Sequence, residues 1–406
     1  VQNTLIGGLA GDATTTGTGN TAIGQEALGV NTTGSDNVAI GRDALDANTT
    51  ASNNTAVGKS SLGGNTTGAS NVAVGRSALL SNTTASNNTA VGYQAGYTNT
   101  TGVNNLSLGY QAGYTNATSN YNTAVGTQSL ANNTGSNNVA LGQSALFSNT
   151  TASNNTAVGY QAMTANTTGT ESVGIGNRAL ASQTTGRNTA VGFNAGQDIT
   201  TGTSNTMLGQ EAGENTTTGD FNVAVGTQAL RANTTSDNNT VVGYQAGDSV
   251  TGSGNTFVGK ESGDGVGNGT DNICIGRNST LSSATQVNAI AIGVNMNAAS
   301  NNFSFGKQSN VVTNDFDTDA NWSRSSDERL KKNITNQTLG LDFINDLRTV
   351  KYNWKPSNEL DASDAQLDHL RRQDADGNII NDMNTTATMH NFIAQEVKAA
   401  LDTAGV

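Results

Sequence analysis

A five-residue phrase recurs along most of this chain at an almost constant interval. It reads Asn20-Thr21-Ala22-Ile23-Gly24, then Asn37-Val38-Ala39-Ile40-Gly41, then Asn54-Thr55-Ala56-Val57-Gly58. The closing glycines Gly24, Gly41, Gly58, Gly75 and Gly92 stand 17 residues apart, and the step shortens to 16 at places such as Gly126 to Gly142. A short fixed period means one structural unit stacked many times, each unit burying its apolar face on its neighbours. The repeats end near Gly306, and a different kind of sequence follows.

Composition limits what such a stack can be. Of 406 residues only 34% are hydrophobic and 5% aromatic, with 49 glycines and long tracts of Asn, Thr and Ser. A chain this polar is ordinarily disordered. Yet a disordered linker has no reason to hold register over some three hundred residues, and only 12% of this chain is charged. The expectation is therefore an architecture that closes its backbone hydrogen bonds by stacking and needs only a thin core. The net charge of −12 and the lack of a basic stripe argue against nucleic-acid binding. One cysteine, Cys274, sits where the phrase usually has Ala, so it reads as a small buried apolar residue. Both histidines lie outside the repeats, and no metal or cofactor is expected. No run is long enough to span a membrane as a helix. Val1 in place of Met reads as a processed or partial chain.

Within the repeat Asn88–Asn104, Asn88 to Val91 reads as a short strand. Gly92 reads as a bend, Tyr93 to Ala95 as a second short strand, and Asn99-Thr100-Thr101-Gly102 as a turn. Ala and the Val/Ile/Leu of the phrase, Val91 among them, are expected to face inward. Helix is disfavoured by the Gly, Asn and Thr content and by apolar spacing that is not 3.6. Stacked coils rise about 4.8 Å each, so eighteen of them would extend on the order of 85 Å. Residues one repeat apart, such as Asn88 and Asn105, should form amide ladders. Because the inward residues are small, the core of one chain is thin, and three chains along an axis would thicken it.

The phrase resembles the head repeats of trimeric autotransporter adhesins, which carry a similar Val-Ala-Ile-Gly phrase; similar repeats occur in phage tail fibres. The resemblance covers roughly residues 1–306 and implies a trimeric parallel β-roll. Tyrosines recur with the period: Tyr93 and Tyr110, Tyr97 and Tyr114. They read either as a carbohydrate-stacking platform or as a ladder bracing neighbouring coils. Asn-X-Thr triplets such as Asn31-Thr32-Thr33 and Asn48-Thr49-Thr50 are formal glycosylation acceptors, but turn chemistry explains them more simply. Carboxylates such as Glu26, Asp43, Asp46 and Glu211 are scattered, and no pair announces a glycosidase. The threonines sit in turns, which disfavours a flat ice-binding face.

Past Asp315 the chain changes character. Leu341, Phe343, Ile344 and Leu347 form a helical stripe, Val350 to Trp354 alternates as a strand, and Pro356 stops it. Residues 357–388 are polar and aspartate-rich, and read as an exposed excursion. Asn391 to Val397 passes from strand into helix. Three segments appear in order: Ser326-Asp327-Glu328-Arg329-Leu330-Lys331, Val350-Lys351-Tyr352-Asn353-Trp354, and His390-Asn391-Phe392-Ile393-Ala394-Gln395-Glu396-Val397. Together they resemble the intramolecular chaperone domain of endosialidases and phage tail spikes. That resemblance implies a trimeric chaperone that folds the upstream fibre and then cuts itself off between Ser325 and Ser326. Ser326 would be the nucleophile and Lys331 the general base. A serine hydroxyl needs such a base, and a lysine serves only where burial or neighbouring cations lower its pKa; Arg329 and Lys332 are near in sequence. Two features depart from the family pattern. Asn391 stands where Gly is usual, and Val406 comes before the long helix that ordinarily follows.

The fold class expected is mainly β. A trimeric parallel β-solenoid or β-roll of 17-residue repeats spans 1–306, a linker 307–325, and a small α+β chaperone domain 326–406. The function expected is a homotrimeric virion tail fibre, extracellular, that displays a rod to a host surface receptor of carbohydrate character and joins other tail proteins. Its only chemistry would be a single-turnover self-cleavage. The alternatives are a bacterial trimeric surface adhesin and a polysaccharide-depolymerising tail spike. Neither nucleic acid nor membrane insertion is expected.

Overall fold

The computed structural model describes residues 2–317, 323–324, 347, 349–352, 389–392 and 394–404. The chain divides into two compact units, Val1–Ser325 and Ser326–Val406.

In the first unit each phrase forms a strand of three residues, for example Thr21–Ile23, Thr55–Val57 and Thr89–Val91. Successive strands pair in parallel at an offset of one repeat, with Thr89 opposite Leu106, Ala90 opposite Ser107 and Val91 opposite Leu108. All pairings in the 21-stranded sheet are parallel except the last two. Parallel in-register stacking sets identical repeat positions above one another, so each position becomes a column along the stack.

One glycine per coil is required by this geometry. Gly24 has φ near +136°, and a Cβ there would stand 2.6 Å from the carbonyl oxygen of Gly41 in the next coil. Backbone meets backbone along this column, which leaves no room for a side chain.

The expected second strand at Tyr93–Ala95 is not formed. After Gly92 the chain makes turns, with Gln94 at φ 53° and Gly96 at φ 58°. Alternating the sign of φ points successive N–H groups up and down the stack. Gln94 donates to Arg76 O at 3.0 Å in the preceding coil, and Gly96 to Ala112 O at 2.9 Å in the following one. The stack is thus bonded on both sides of the coil without a second regular strand.

The core is thin, with about three apolar side chains from each coil. Ala22, Ala56 and Ala90 at the strand centres are fully buried, as are Ala27, Ala44 and Ala95 on the opposing turn. A further inward column carries Leu28, Leu45, Leu62 and Leu79. Size is exchanged across this core. Most coils with alanine in the strand carry leucine in the turn, Ala90 and Ala190 with Gly96 and Gly196 being exceptions, whereas Leu5, Met207 and Phe257 in the strand face Gly11, Gly213 and Gly263. A Cβ on Gly11 would lie 2.6 Å from Leu5 Cδ2. The inward place assigned to Val91 is corrected: Ala90 alone points in, and Val91 and Thr89 point out and are only partly buried. Period-two alternation sets the central residue of the three-residue strand against its two neighbours, and the central residue takes the inward place.

The segment 307–325 is more than a linker. Strand Asn310–Asp315 pairs antiparallel with Asn302–Lys307, the last strand of the parallel stack, and Ser323–Arg324 pairs with it in turn. Reversing direction here covers the final coil's open edge.

In the second unit, Thr349–Tyr352 pairs antiparallel with Met389–Phe392, setting Lys351 opposite His390 and Val350 opposite Asn391. Helix Ala394–Ala404 follows. The strand-into-helix passage is as expected. The helical stripe at 339–347, the excursion at 357–388 and Pro356 lie outside the described residues, apart from Leu347 itself.

Candidate functional site

Two buried columns of asparagine hold the coils together. In the first, Asn54 Nδ2 donates to Gly68 O at 3.0 Å and to Asn37 Oδ1 at 3.3 Å. Its own Oδ1 accepts from Asn71 N at 2.9 Å and Asn71 Nδ2 at 3.2 Å. Asn105 N likewise donates to Asn88 Oδ1 at 2.9 Å, so the ladder expected there is a backbone-to-amide one. In the second column Asn48 Nδ2 donates to Asn31 Oδ1 and to Ala51 O, each at 3.0 Å. An amide carries both donor and acceptor, so the same residue satisfies the buried position in successive coils, with Ser172 and Gln183 among the replacements. The buried asparagines of the second column, Asn31 and Asn48 among them, are those of the Asn-X-Thr triplets, and their amides are already engaged in the stack.

The strand's outward face bears a second kind of column. Its last position is occupied by Ile40, Val91, Leu108, Leu141, Ile175 and Ile275 in turn, and by an aliphatic residue in nearly every coil. Leu108 is 41% exposed and Leu141 45%. A contiguous apolar stripe of this length is uncommon on a monomeric surface.

The tyrosines stack pairwise along the coils. Tyr93 and Tyr110 have ring centroids 5.5 Å apart at 12°, and Tyr97 and Tyr114 5.1 Å apart at 7°. The ring faces that meet are covered by each other. Arg76 lies 5.8 Å over the Tyr93 ring, and Lys260 the same distance over Tyr244. Register alone creates these pairs, since the residues occupy the same place in consecutive coils.

Three of the scattered carboxylates are brought within electrostatic reach. Burial first, then the charges of Glu26 and Asp43, push the Asp46 carboxyl above its ordinary 3.8. Asp43 also pairs with Arg42 at 3.3 Å. Glu211 moves the other way, held down chiefly by hydrogen bonds from Gln228 and Gln210. Burial pushes the Cys274 thiol up to about 12, which leaves roughly 10⁻⁴ of it as thiolate at pH 8 and makes it an inert core residue.

Ser325, Ser326 and Lys331 lie outside the described residues. Strand Ser323–Arg324 ends one residue before Ser325, and the boundary between the two compact units falls between Ser325 and Ser326. Among the described residues, no helix is long and apolar enough to cross a membrane.

Sequence reasoning missed two features. One is the row of residues after each coil glycine, in which cations and aromatics collect. Reading one residue beyond the repeated phrase would have found it. The other is an open hollow of about 460 Å³ lined by Thr170, Thr185, Arg187, Ser204 and Phe221. It lies where the coil from Gly176 to Gly192 is one residue short, and no local motif announces it.

Residues 326–406 match the family model described as chaperone of endosialidase. A solenoid of stacked 17-residue coils followed by that segment fits a tail fibre with an intramolecular chaperone. No curated protein and no solved structure matches the chain significantly.

Proposed function

We propose that the protein is a homotrimeric, extracellular virion tail fibre whose C-terminal unit folds it and then cuts itself free between Ser325 and Ser326. The observation that carries this reading is a coincidence of boundaries. The compact solenoid unit ends at Ser325, and the match to the chaperone of endosialidase begins at Ser326. A folding module and its client would part at such a junction.

The trimer rests on the aliphatic stripe. A coil whose inward strand residue is alanine buries little, while its outward Val, Ile or Leu stays in water. Three copies meeting through that face would remove the stripe from solvent, at about 25 cal/mol for each Å² buried. The depolymerase alternative gains little from the clustered Glu26, Asp43 and Asp46. Asp43 among them is paired with Arg42, and the described hollows lie elsewhere. The coils then serve as a scaffold that presents its surface to a host glycan. Tyr93, Tyr97, Tyr110 and Tyr114 are candidate contacts through their ring edges.

Self-cleavage is tested by substitution. Ser326 is the proposed nucleophile and Lys331 the base that accepts its proton. Ser326→Ala should abolish cutting and Lys331→Ala should cripple it. Lys331→Arg should fail as well, because a guanidinium does not release its proton near neutral pH. N-terminal sequencing of the released fragment should begin at Ser326. Cutting of the Ser326→Ala chain at the parent rate, or a fragment that begins elsewhere, rules out the dyad.

A further inference from the structure

We propose that the row of side chains following the coil glycines is a docking track for an acidic polysaccharide, centred on Lys59 and Arg76. The inference rests on the reading that the coils meet a host-surface glycan, and it names that glycan's charge.

Between residues 2 and 317 the chain has nine Lys and Arg residues, and six stand in this one row: Arg42, Lys59, Arg76, Lys260, Arg277 and Lys307. All six are exposed. No Asp or Glu occupies the row, although acids outnumber bases 31 to 19 in the whole chain. Position in the coil therefore sorts charge: the row excludes acids and gathers cations on a protein of net charge −12.

The row is densest at Arg42, Lys59, Arg76, Tyr93 and Tyr110, which occupy five consecutive coils. Arg76 lies over Tyr93, and Tyr93 stacks on Tyr110, so the upper part is one continuous surface. Arg42 is partly neutralised by Asp43, as Lys260 is by Glu261 at 2.9 Å. Lys59 and Arg76 are followed instead by Ser60 and Ser77, and among the described residues neither forms an ion pair. Coil stacking sets these like charges roughly 5 Å apart along the column. They repel one another at that spacing, and among the described residues no carboxylate pairs with Lys59 or Arg76 to offset it.

The arrangement dictates the ligand. It must be anionic to meet the cations, and linear to follow the row. Its charges must also recur at about the rise of a coil. An extended chain of carboxylated sugars meets all three conditions, since one pyranose residue spans a comparable length. Its hydroxyls suit the tyrosine and amide side chains that continue the row at Tyr93, Tyr110 and Gln143.

The test is surface-based binding of the full chain to immobilised polygalacturonate, with neutral dextran and a single-stranded DNA oligonucleotide as comparison arms, at low and high salt. The expected result is binding to polygalacturonate that weakens with salt and exceeds binding to the other two. The double variant Lys59→Gln/Arg76→Gln should bind roughly tenfold more weakly, from two exposed charge contacts. Lys59→Arg/Arg76→Lys should retain binding. Binding to dextran that the glutamine variant leaves unchanged would overturn the acidic track while leaving the glycan-receptor reading intact. DNA bound as tightly as polygalacturonate would mean a general polyanion surface and would also overturn it, as would no binding to polygalacturonate.

Discussion

At the scale of single residues, the fold turns on which side of a three-residue strand is wet. Ala90 is fully buried and Val91 is not, so charge has opposite consequences one position apart. Ala90→Asp places an unpaired carboxylate in a thin core and should cost several kcal/mol, read from the shift of a denaturation midpoint. Val91→Asp should leave the coil folded and act on association between chains, seen as a change of native mass. Equal loss of folding in both variants would contradict the alternation. Asp46 gives a test by pH. Its folded pKa is raised by burial and by Glu26 and Asp43, so its charged form is less favourable in the fold than in the unfolded chain. Its stability cost is absent below the ordinary value of 3.8, grows as pH rises from there, and is complete above the raised value. Asp46→Asn should therefore raise the melting temperature at neutral pH and leave it nearly unchanged in strong acid. A melting temperature lowered at neutral pH would mean that the charged carboxylate has a favourable partner.

At the scale of the coil, the period of 17 residues was enough to read the stacking, the parallel register and the asparagine ladders, because each is a property of a residue meeting its own copy. What happens between Gly92 and Asn99 was not legible. Tyr93-Gln94-Ala95 alternates as a strand would, but Gln94 adopts positive φ, a choice made by hydrogen bonds to the coils above and below. Single-sequence patterning carries no trace of that tertiary choice. The inward face was misread for a related reason. Val, Ile and Leu in a strand ordinarily mark the core, yet here the turn supplies the leucine and the strand supplies alanine. The carboxylates Glu26, Asp43 and Asp46 looked scattered because a gap of 17 or 20 residues is, in a solenoid, the distance to the next coil. The ladder itself is testable. Asn54→Ala removes the partner of Asn71 N–H and of the Gly68 carbonyl inside the stack, and should cost roughly 2–4 kcal/mol in chemical denaturation. The neighbouring Asn53 is exposed at φ 62°, and Asn53→Gly should be close to neutral, since glycine accepts that backbone conformation. A neutral Asn54→Ala would show that water replaces the amide and that the column is not what holds adjacent coils in register.

At the scale of the whole molecule, the two units divide the problem of making a parallel stack. Each parallel pairing in the solenoid joins a coil only to its neighbour, so every growing end exposes an unpaired strand edge until the next coil is added. A separate folding module would register three chains before their coils stack, and the antiparallel strands Asn310–Asp315 and Ser323–Arg324 finish the stack itself. If it then leaves, the fibre loses its means of refolding and its persistence depends on the height of the unfolding barrier. The uncut Ser326→Ala chain should therefore recover its structure after denaturation better than the cut parent. The central claim, assembly as a trimer followed by release of the chaperone, is tested most directly by weighing the unaltered protein twice, under denaturing and under native conditions. Denaturing conditions should give two fragments that meet at Ser325 and Ser326 in place of one chain of 41.3 kDa, and native conditions a particle of three solenoid fragments. A single intact 41.3 kDa species that is also a folded monomer would contradict both parts of the account.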